Sequence, residues 1–211
     1  MEKVNISAEK RGFDVLFSLA LALILSPLIL LILFAMLVEN IFIAASRGGI
    51  FYTETRISEG KPFKIYKFRI FKNAVLREKM ETGQFVHTKN LEKDKNNLTY
   101  TGRFLKQIYM DEFPQLINVL RGEMSLVGPR PVNAVDYEAL VKNGDYNRMV
   151  IRAGITGKFQ IYKGEKRGLS QREADAYYIK FCRENPGWLV VLYDIKILLL
   201  TVITVLRAEG I

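Results

Sequence analysis

One cysteine and one histidine in 211 residues narrow the chemistry before any motif is read. Cys182 has no second cysteine with which to form an intrachain disulfide, in keeping with a domain facing a reducing compartment. His87 stands alone in a polar stretch, so no zinc-type cysteine and histidine spacing exists and the residue reads as an ordinary surface histidine. No glycine-rich nucleotide-binding fingerprint appears. Internal repeats, low-complexity tracts and domain linkers are missing too, which leaves one domain plus an anchor as the organisation expected at this length. Acid is scarce beside base: 22 Asp and Glu against 31 Lys and Arg give a formal net charge of +9. That balance implies anionic partners, whether nucleic acid, lipid head groups or phosphorylated small molecules.

Apolar residues, in contrast, are abundant at 49%, and much of the excess sits in two runs. The first, Val15 to Val38, is uncharged. As a helix it would be roughly 36 Å long, against a bilayer core of about 30 Å. It is longer than the apolar part of a signal peptide, and no small-residue cleavage site follows. Ser26-Pro27 lies at its middle. Proline offers no N–H to the carbonyl of Leu23 and crowds that turn, so the helix should bend, with the Ser26 hydroxyl able to satisfy the freed carbonyl. Basic residues flank both ends: Lys10 and Arg11 before, Arg47, Arg56, Lys61, Lys64 and Lys67 after. The positive-inside rule then puts both ends on the cytoplasmic side, which a re-entrant hairpin satisfies and a straight span does not. The anchor favours lipid and phosphorylated small molecules as the anionic partners.

The second run, Trp188 to Leu206, is interrupted by Asp194 and Lys196, which makes spanning expensive. It reads as a helix on the membrane surface or packed against the anchor, with a buried core helix as the competing reading. Ile50–Ile57 and Pro62–Arg69 are β-branched and aromatic runs around the turn signal Ser58-Glu59-Gly60-Lys61, a β-hairpin. Lys67 and Arg69 share one of its faces, where they could equally be a solvated edge. Asn73 to Leu98 reads as helix and loop. Lys158 to Tyr162 reads as a short strand, and Gln171 to Cys182 as a helix.

Three polar motifs carry the chemistry. Asp111-Glu112 precedes Pro114 and a short apolar helix to Leu120; such a pair can cap a helix, or divide a reaction between nucleophile and metal ligand. Gly128-Pro129-Arg130-Pro131 holds an arginine in a restricted backbone, suited to a phosphate or to a plain turn. Arg152-Ala153-Gly154-Ile155-Thr156-Gly157 carries two glycines that would admit a ligand close to the backbone, or simply mark a turn.

Taken together and in this order, the Ser-Pro break, Tyr66-Lys67-Phe68-Arg69, Asp111-Glu112-x-Pro-Gln, Gly122 through Pro131 and Gly154-Ile155-Thr156-Gly157 closely resemble the bacterial sugar transferase family, the monotopic phosphoglycosyl transferases, over nearly the whole chain. The resemblance implies an α+β, mainly helical fold: a re-entrant membrane hairpin broken at Ser26 and Pro27 (residues 1–46), then a catalytic domain (47–211) with a β-hairpin, interfacial amphipathic helices and a membrane-associated C-terminal helix. It implies transfer of a sugar 1-phosphate from a UDP-sugar to polyprenol phosphate at the cytoplasmic face of the bacterial inner membrane, releasing UMP. Asp111 would be the nucleophile and Glu112 the Mg²⁺ ligand. Lys67, Arg69, Lys106, Arg130, Arg152 and Asp175 would bind substrate, the role of Asp175 being unassigned. The implied partners are the UDP-sugar, polyprenol phosphate and membrane lipid, with a homodimer left open and no nucleic acid. Departures occur at Ile70-Phe71, at Lys106 to Met110, and at Ala153 and Lys158; the last two bear on donor choice. A non-catalytic scaffold, or a tethered protein that docks anionic lipid or nucleic acid, are the alternatives. Cysteines placed at Glu2 and Ser46 should react with an impermeant thiol reagent from the same side of the membrane. Opposite-side labelling would mean one straight span.

Overall fold

At Leu23 the first helix runs out of backbone donors, and the side chain of Ser26 replaces the missing one: its hydroxyl donates to the Leu23 carbonyl at 2.7 Å. Helix α1 (Ala8–Ile24) ends there and α2 (Ser26–Phe42) begins with Pro27 in its first turn, the axis turning by 61°. The computed structural model describes residues 2–81, 91–161 and 170–206. His87 and Tyr162 therefore lie outside the described residues.

The remaining elements are mainly helical. Strands β1 (Phe51–Ser58) and β2 (Lys61–Phe68) form the expected hairpin. Its two linking residues, Glu59 and Gly60, both have positive φ, the backbone that matches the twist of a tight hairpin. After it come α3 (Asn73–Glu81), α4 (Tyr100–Gln107), a 3₁₀ turn at Met110–Glu112, α5 (Gln115–Leu120), β3 (Met124–Val127), α6 (Ala134–Lys142), α7 (Asn147–Val150), β4 (Ala153–Thr156), α8 (Lys158–Ile161), α9 (Gln171–Glu184) and α10 (Gly187–Leu206). The strand expected at Lys158–Tyr162 is displaced: residues 153–156 form it, and Lys158–Ile161 is a helical turn.

Two compact units result. The first comprises residues 1–21, 54–65 and 115–211. Its centre is a second sheet, in which β3 and β4 pair in parallel with Ser125 opposite Gly154 and Val127 opposite Thr156. Both strands are almost wholly buried, as parallel strands usually are. Glycines make the pairing possible. A Cβ on Gly154 would collide with the amide nitrogen of Gly128, and one on Gly157 with its carbonyl oxygen. The glycines thus admit backbone against backbone, not backbone against ligand. Helix α9 starts with a capping box, Ser170 and Glu173 each bonding the other's backbone amide. Helix α10 buries Val190, Asp194, Ile197 and Thr204 and exposes Trp188, Leu192, Leu199, Val202 and Leu206. It is apolar on both faces, with one face packed.

The second unit, residues 22–53 and 66–114, has its own core of Ile32, Met36, Phe68, Ile70, Phe71, Leu76, Leu98 and Leu105. Glu39, near the end of α2, accepts from the Tyr100 and Thr101 amides at 2.7 and 2.8 Å and from the Ser46 hydroxyl at 2.6 Å. With Thr99 capping Gly102, the first amides of α4 are all satisfied. Ser46 is buried by this bond, so exposed Arg47 is the better labelling position.

Alanine at Gly154 should destabilise the protein by about 3 kcal/mol, because only rigid backbone stands in the way of the new methyl. Thermal denaturation of Gly154→Ala beside Gly12→Ala, where the added Cβ meets nothing within 4 Å, checks this.

Candidate active site

The expected site residues fall into both units. Lys67, Arg69, Lys106, Asp111 and Glu112 belong to the second; Arg130, Arg152 and Asp175 to the first.

In the second unit the chain leaves α4 through Tyr109, whose φ of 57° is left-handed, and turns at once into the 3₁₀ segment that carries both acids. A non-glycine residue in that conformation stores a little strain, which the surrounding packing sustains. Asp111 is 2% exposed. Its Oδ1 has no hydrogen-bond partner among the described residues. Burial, then repulsion from Glu112, pushes its carboxyl up to about 6, while Lys106 and Lys67 pull the other way. Lys67 Nζ reaches Glu112 Oε1 at 3.0 Å. Lys106 pairs with Glu92 at 2.9 Å. Burial alone would lower the Lys106 ammonium, but the charges of Asp111, Glu92 and Glu112 outweigh it and hold it above its usual value. Two acids and two lysines are therefore brought together.

Arg69 stands apart from them. Its guanidinium is buried and donates to the Gly49, Phe71 and Ser46 carbonyls at 2.5, 2.7 and 2.6 Å and to Asn40 Oδ1 at 3.0 Å. Arg69, expected to bind phosphate, is in this structure a clamp that fastens the end of the hairpin to residues 40–49. A buried guanidinium satisfies its donors wherever carbonyls converge, and strand periodicity says nothing about such convergence.

In the first unit Arg130 is half-buried in a loop held at several backbone points. Gly128 N donates to Thr156 O and Gly154 N to Pro129 O, both at 2.9 Å. Arg152 pairs with Glu59 at 3.3 Å. Asp175 is buried and meets Arg148 Nη2 at 2.9 Å. Burial pushes its carboxyl up to about 7; Arg148 opposes this and Asp145 adds to it. Glu92, Glu39 and Arg148 were not singled out from the sequence, and no motif or spacing marks them.

A water-deprived carboxylate beside a second acid and two lysines suits a transferase acting on anionic substrates. Comparison with known proteins gives the class a family: residues 5–208 match the model described as bacterial sugar transferase, and the chain belongs to that family. It is 36% identical over 204 residues to the uncharacterized sugar transferase EpsL of Bacillus subtilis, covering 96% of this chain and 89% of that protein. It is 33% identical to the UDP-glucose:undecaprenyl-phosphate glucose-1-phosphate transferase of Escherichia coli, covering 92% of this chain but 39% of the relative. It is also 33% identical to the undecaprenyl-phosphate galactose phosphotransferase of Salmonella typhimurium, with 95% and 41% covered. The chain thus spans most of the first relative and about two fifths of the other two.

Because the Asp111 carboxyl is raised from its unfolded value of 3.8 to about 6, the native state holds its proton more tightly. Stability from this group is therefore present at low pH and lost as pH rises through about 4 to 6. Asp111→Asn should accordingly stabilise the protein at pH 7.5 by on the order of 1–3 kcal/mol, and scarcely at pH 4. Denaturation in the presence of a chelator checks it; equal effects at the two pH values would overturn the electrostatic account.

Proposed function

We propose that the protein transfers a sugar 1-phosphate from a UDP-sugar to polyprenol phosphate in two displacements at phosphorus, with Asp111 as nucleophile. The observation that supports this best is that Oδ1 of a buried Asp111, among Lys67, Lys106 and Glu112, has no hydrogen-bond partner among the described residues. An Asp111 oxygen bonds to the sugar-bearing phosphorus as the bond to the bridging oxygen breaks and UMP leaves with that electron pair. A phosphate oxygen of the polyprenol phosphate then bonds to the same phosphorus. The aspartyl–phosphorus bond breaks, giving polyprenyl diphosphate sugar and the free carboxylate. Lys67 and Lys106 lower the repulsion between carboxylate and diphosphate, and Arg130 holds donor phosphate.

The donor set also suits Mg²⁺. Among the described residues no three acidic, histidine or cysteine side chains converge on one point. Magnesium is commonly held by one or two carboxylates together with water and substrate phosphates, and Glu112 beside the unpartnered Asp111 oxygen offers that many. When bound, the ion would neutralise diphosphate charge and favour departure of UMP.

The bent helix pair supports a reading of the reaction as one at a membrane, with the pair re-entrant. Lys10 and Arg11 at the start of α1 bond to Ser125 and to the Val119 and Leu120 carbonyls. Glu39 at the end of α2 bonds to Tyr100 and Thr101. No apolar run approaching twenty residues lies between 43 and 186, so the chain has no means of crossing between those two fastenings. These fastenings support the reading that both ends of the pair lie on one side, which the positive-inside rule makes the cytoplasmic one. Of the relatives' donors, glucose and galactose, neither is singled out here.

Purified protein with Mg²⁺, polyprenol phosphate and a panel of UDP-sugars should release UMP with one or a few donors. Asp111→Asn and Glu112→Gln should both fall to background while remaining folded. Turnover that survives in both would refute the site.

A further inference from the structure

Arg148 is a cation buried at 4% exposure with nothing to do in the chemistry so far described. Its guanidinium meets three oxygens. Nε donates to the Arg130 carbonyl at 3.2 Å, Nη2 donates to Asp175 Oδ2 at 2.9 Å, and Nη1 lies 3.8 Å from Asp145 Oδ2. Asp175 and Asp145 are equally buried. Such a cluster is weak as a source of stability, since desolvation of three charges offsets most of their attraction. What it does fix is direction. A guanidinium is a planar fork, and two acids holding two of its corners leave the third aimed at one carbonyl.

That carbonyl belongs to the residue whose side chain is offered to donor phosphate. Pro129 and Pro131 have no N–H, so the backbone around Arg130 has few donors and is held largely through its carbonyls. Pro129 O is taken by Gly154 N, Val132 O by Ile57 N, and Arg130 O by Arg148. Arg148 is in turn tied to the hairpin turn, its carbonyl accepting from Gly60 N at 2.9 Å.

We propose that Asp175 and Arg148 are positioning residues for Arg130: Asp175 orients Arg148, and Arg148 holds the Arg130 backbone so that its guanidinium meets the donor diphosphate. Asp175 is thus moved from substrate binding to the back of the loop that binds substrate. The inference rests on the reading of Arg130 as a donor-phosphate contact.

The test is steady-state kinetics of the full chain in detergent or vesicles, with UDP-sugar and polyprenol phosphate varied separately. The variants are Asp175→Asn, Arg148→Lys, Arg130→Ala and the double variants with Arg130→Ala. Asp175→Asn should raise KM for the UDP-sugar about tenfold, with kcat within about twofold and KM for polyprenol phosphate unchanged. Arg148→Lys keeps the charge but loses the fork, and should do the same; it carries the test should Asp175→Asn not fold. In the Arg130→Ala background neither change should raise donor KM further, because two residues that act through a third are not additive with it. Additive effects, or an unchanged donor KM in both single variants, would overturn the positioning role. An unchanged donor KM in Arg130→Ala itself would instead sink the reading of Arg130, and the two failures are distinguishable by that variant alone.

Discussion

Removing water from one carboxylate is the constraint on which the rest of the site depends. An exposed aspartate at neutral pH is ionised, hydrated and a poor nucleophile toward a diphosphate that repels it. Asp111 is almost wholly buried, with one oxygen unpartnered among the described residues, and burial pushes its carboxyl up to about 6. On the proposed reading this environment makes the group reactive, and it destabilises the fold at the same pH. Lys67 and Lys106 limit the penalty without cancelling it, because each is shared with another acid, Glu112 or Glu92. Had either lysine closed directly on Asp111, the oxygen would be satisfied and the carboxylate would be a structural ion pair. The partial compensation is what leaves it available.

So reactive a group must be held by something other than its own bonds, and the tie runs back to the end of the anchor. Glu39 and Arg69 are buried charges of the second unit, and both fasten the segment at the end of α2. Glu39 joins it to the start of α4, whose far end presents Lys106. Arg69 joins it to the hairpin, two residues beyond Lys67. Each lysine near Asp111 is therefore carried on an element tied to the same short stretch of chain, residues 39–49. A shift of α2 along its axis would be felt at both lysines, which gives α2 a direct mechanical link to the acid pair.

Much of this was legible in the sequence, and the exceptions share a cause. The Ser26-Pro27 break, the hairpin with its Glu59-Gly60 turn, the helix after Ser170 and the acid pair are set by local chemistry: a missing N–H, a positive φ, a capping box, adjacent carboxylates. Their signals lie within a few residues of their effects. The parallel pair β3–β4 was missed in both strands, because Ala153 to Thr156 forms a strand only where glycines let residue 154 cross residue 128, twenty-six positions away. The partners of Arg69 and Asp175 were hidden for the same reason. The carbonyls and counter-ion that hold these two side chains come from residues 40–49, 71 and 148. Glu92 had no signal at all, being one acid in a polar stretch that also holds bases.

The apolar helices raise a question of register that composition alone leaves open. Leucine-rich surfaces pack acceptably at several offsets, yet α1 has to present its bend at one depth. Lys10 supplies the discrimination. Its ammonium lies 2.8 Å from Asp14 on the same helix, 2.6 Å from Ser125 on β3 and 2.6 Å from Asp194 on α10. Asp194 also accepts from Tyr178 at 2.8 Å, which adds α9. A slip of one turn in α1 would leave buried charges unpaired, whereas a slip in a purely apolar seam would change only packing. Asp14 Oδ2 and Ser18 Oγ nevertheless have no partner among the described residues, so the seam is not arranged for greatest stability. Its effect is to select one offset. Asp194, one of the two charges that made α10 look too polar to span a membrane, is then one of those that fix the offset of α1.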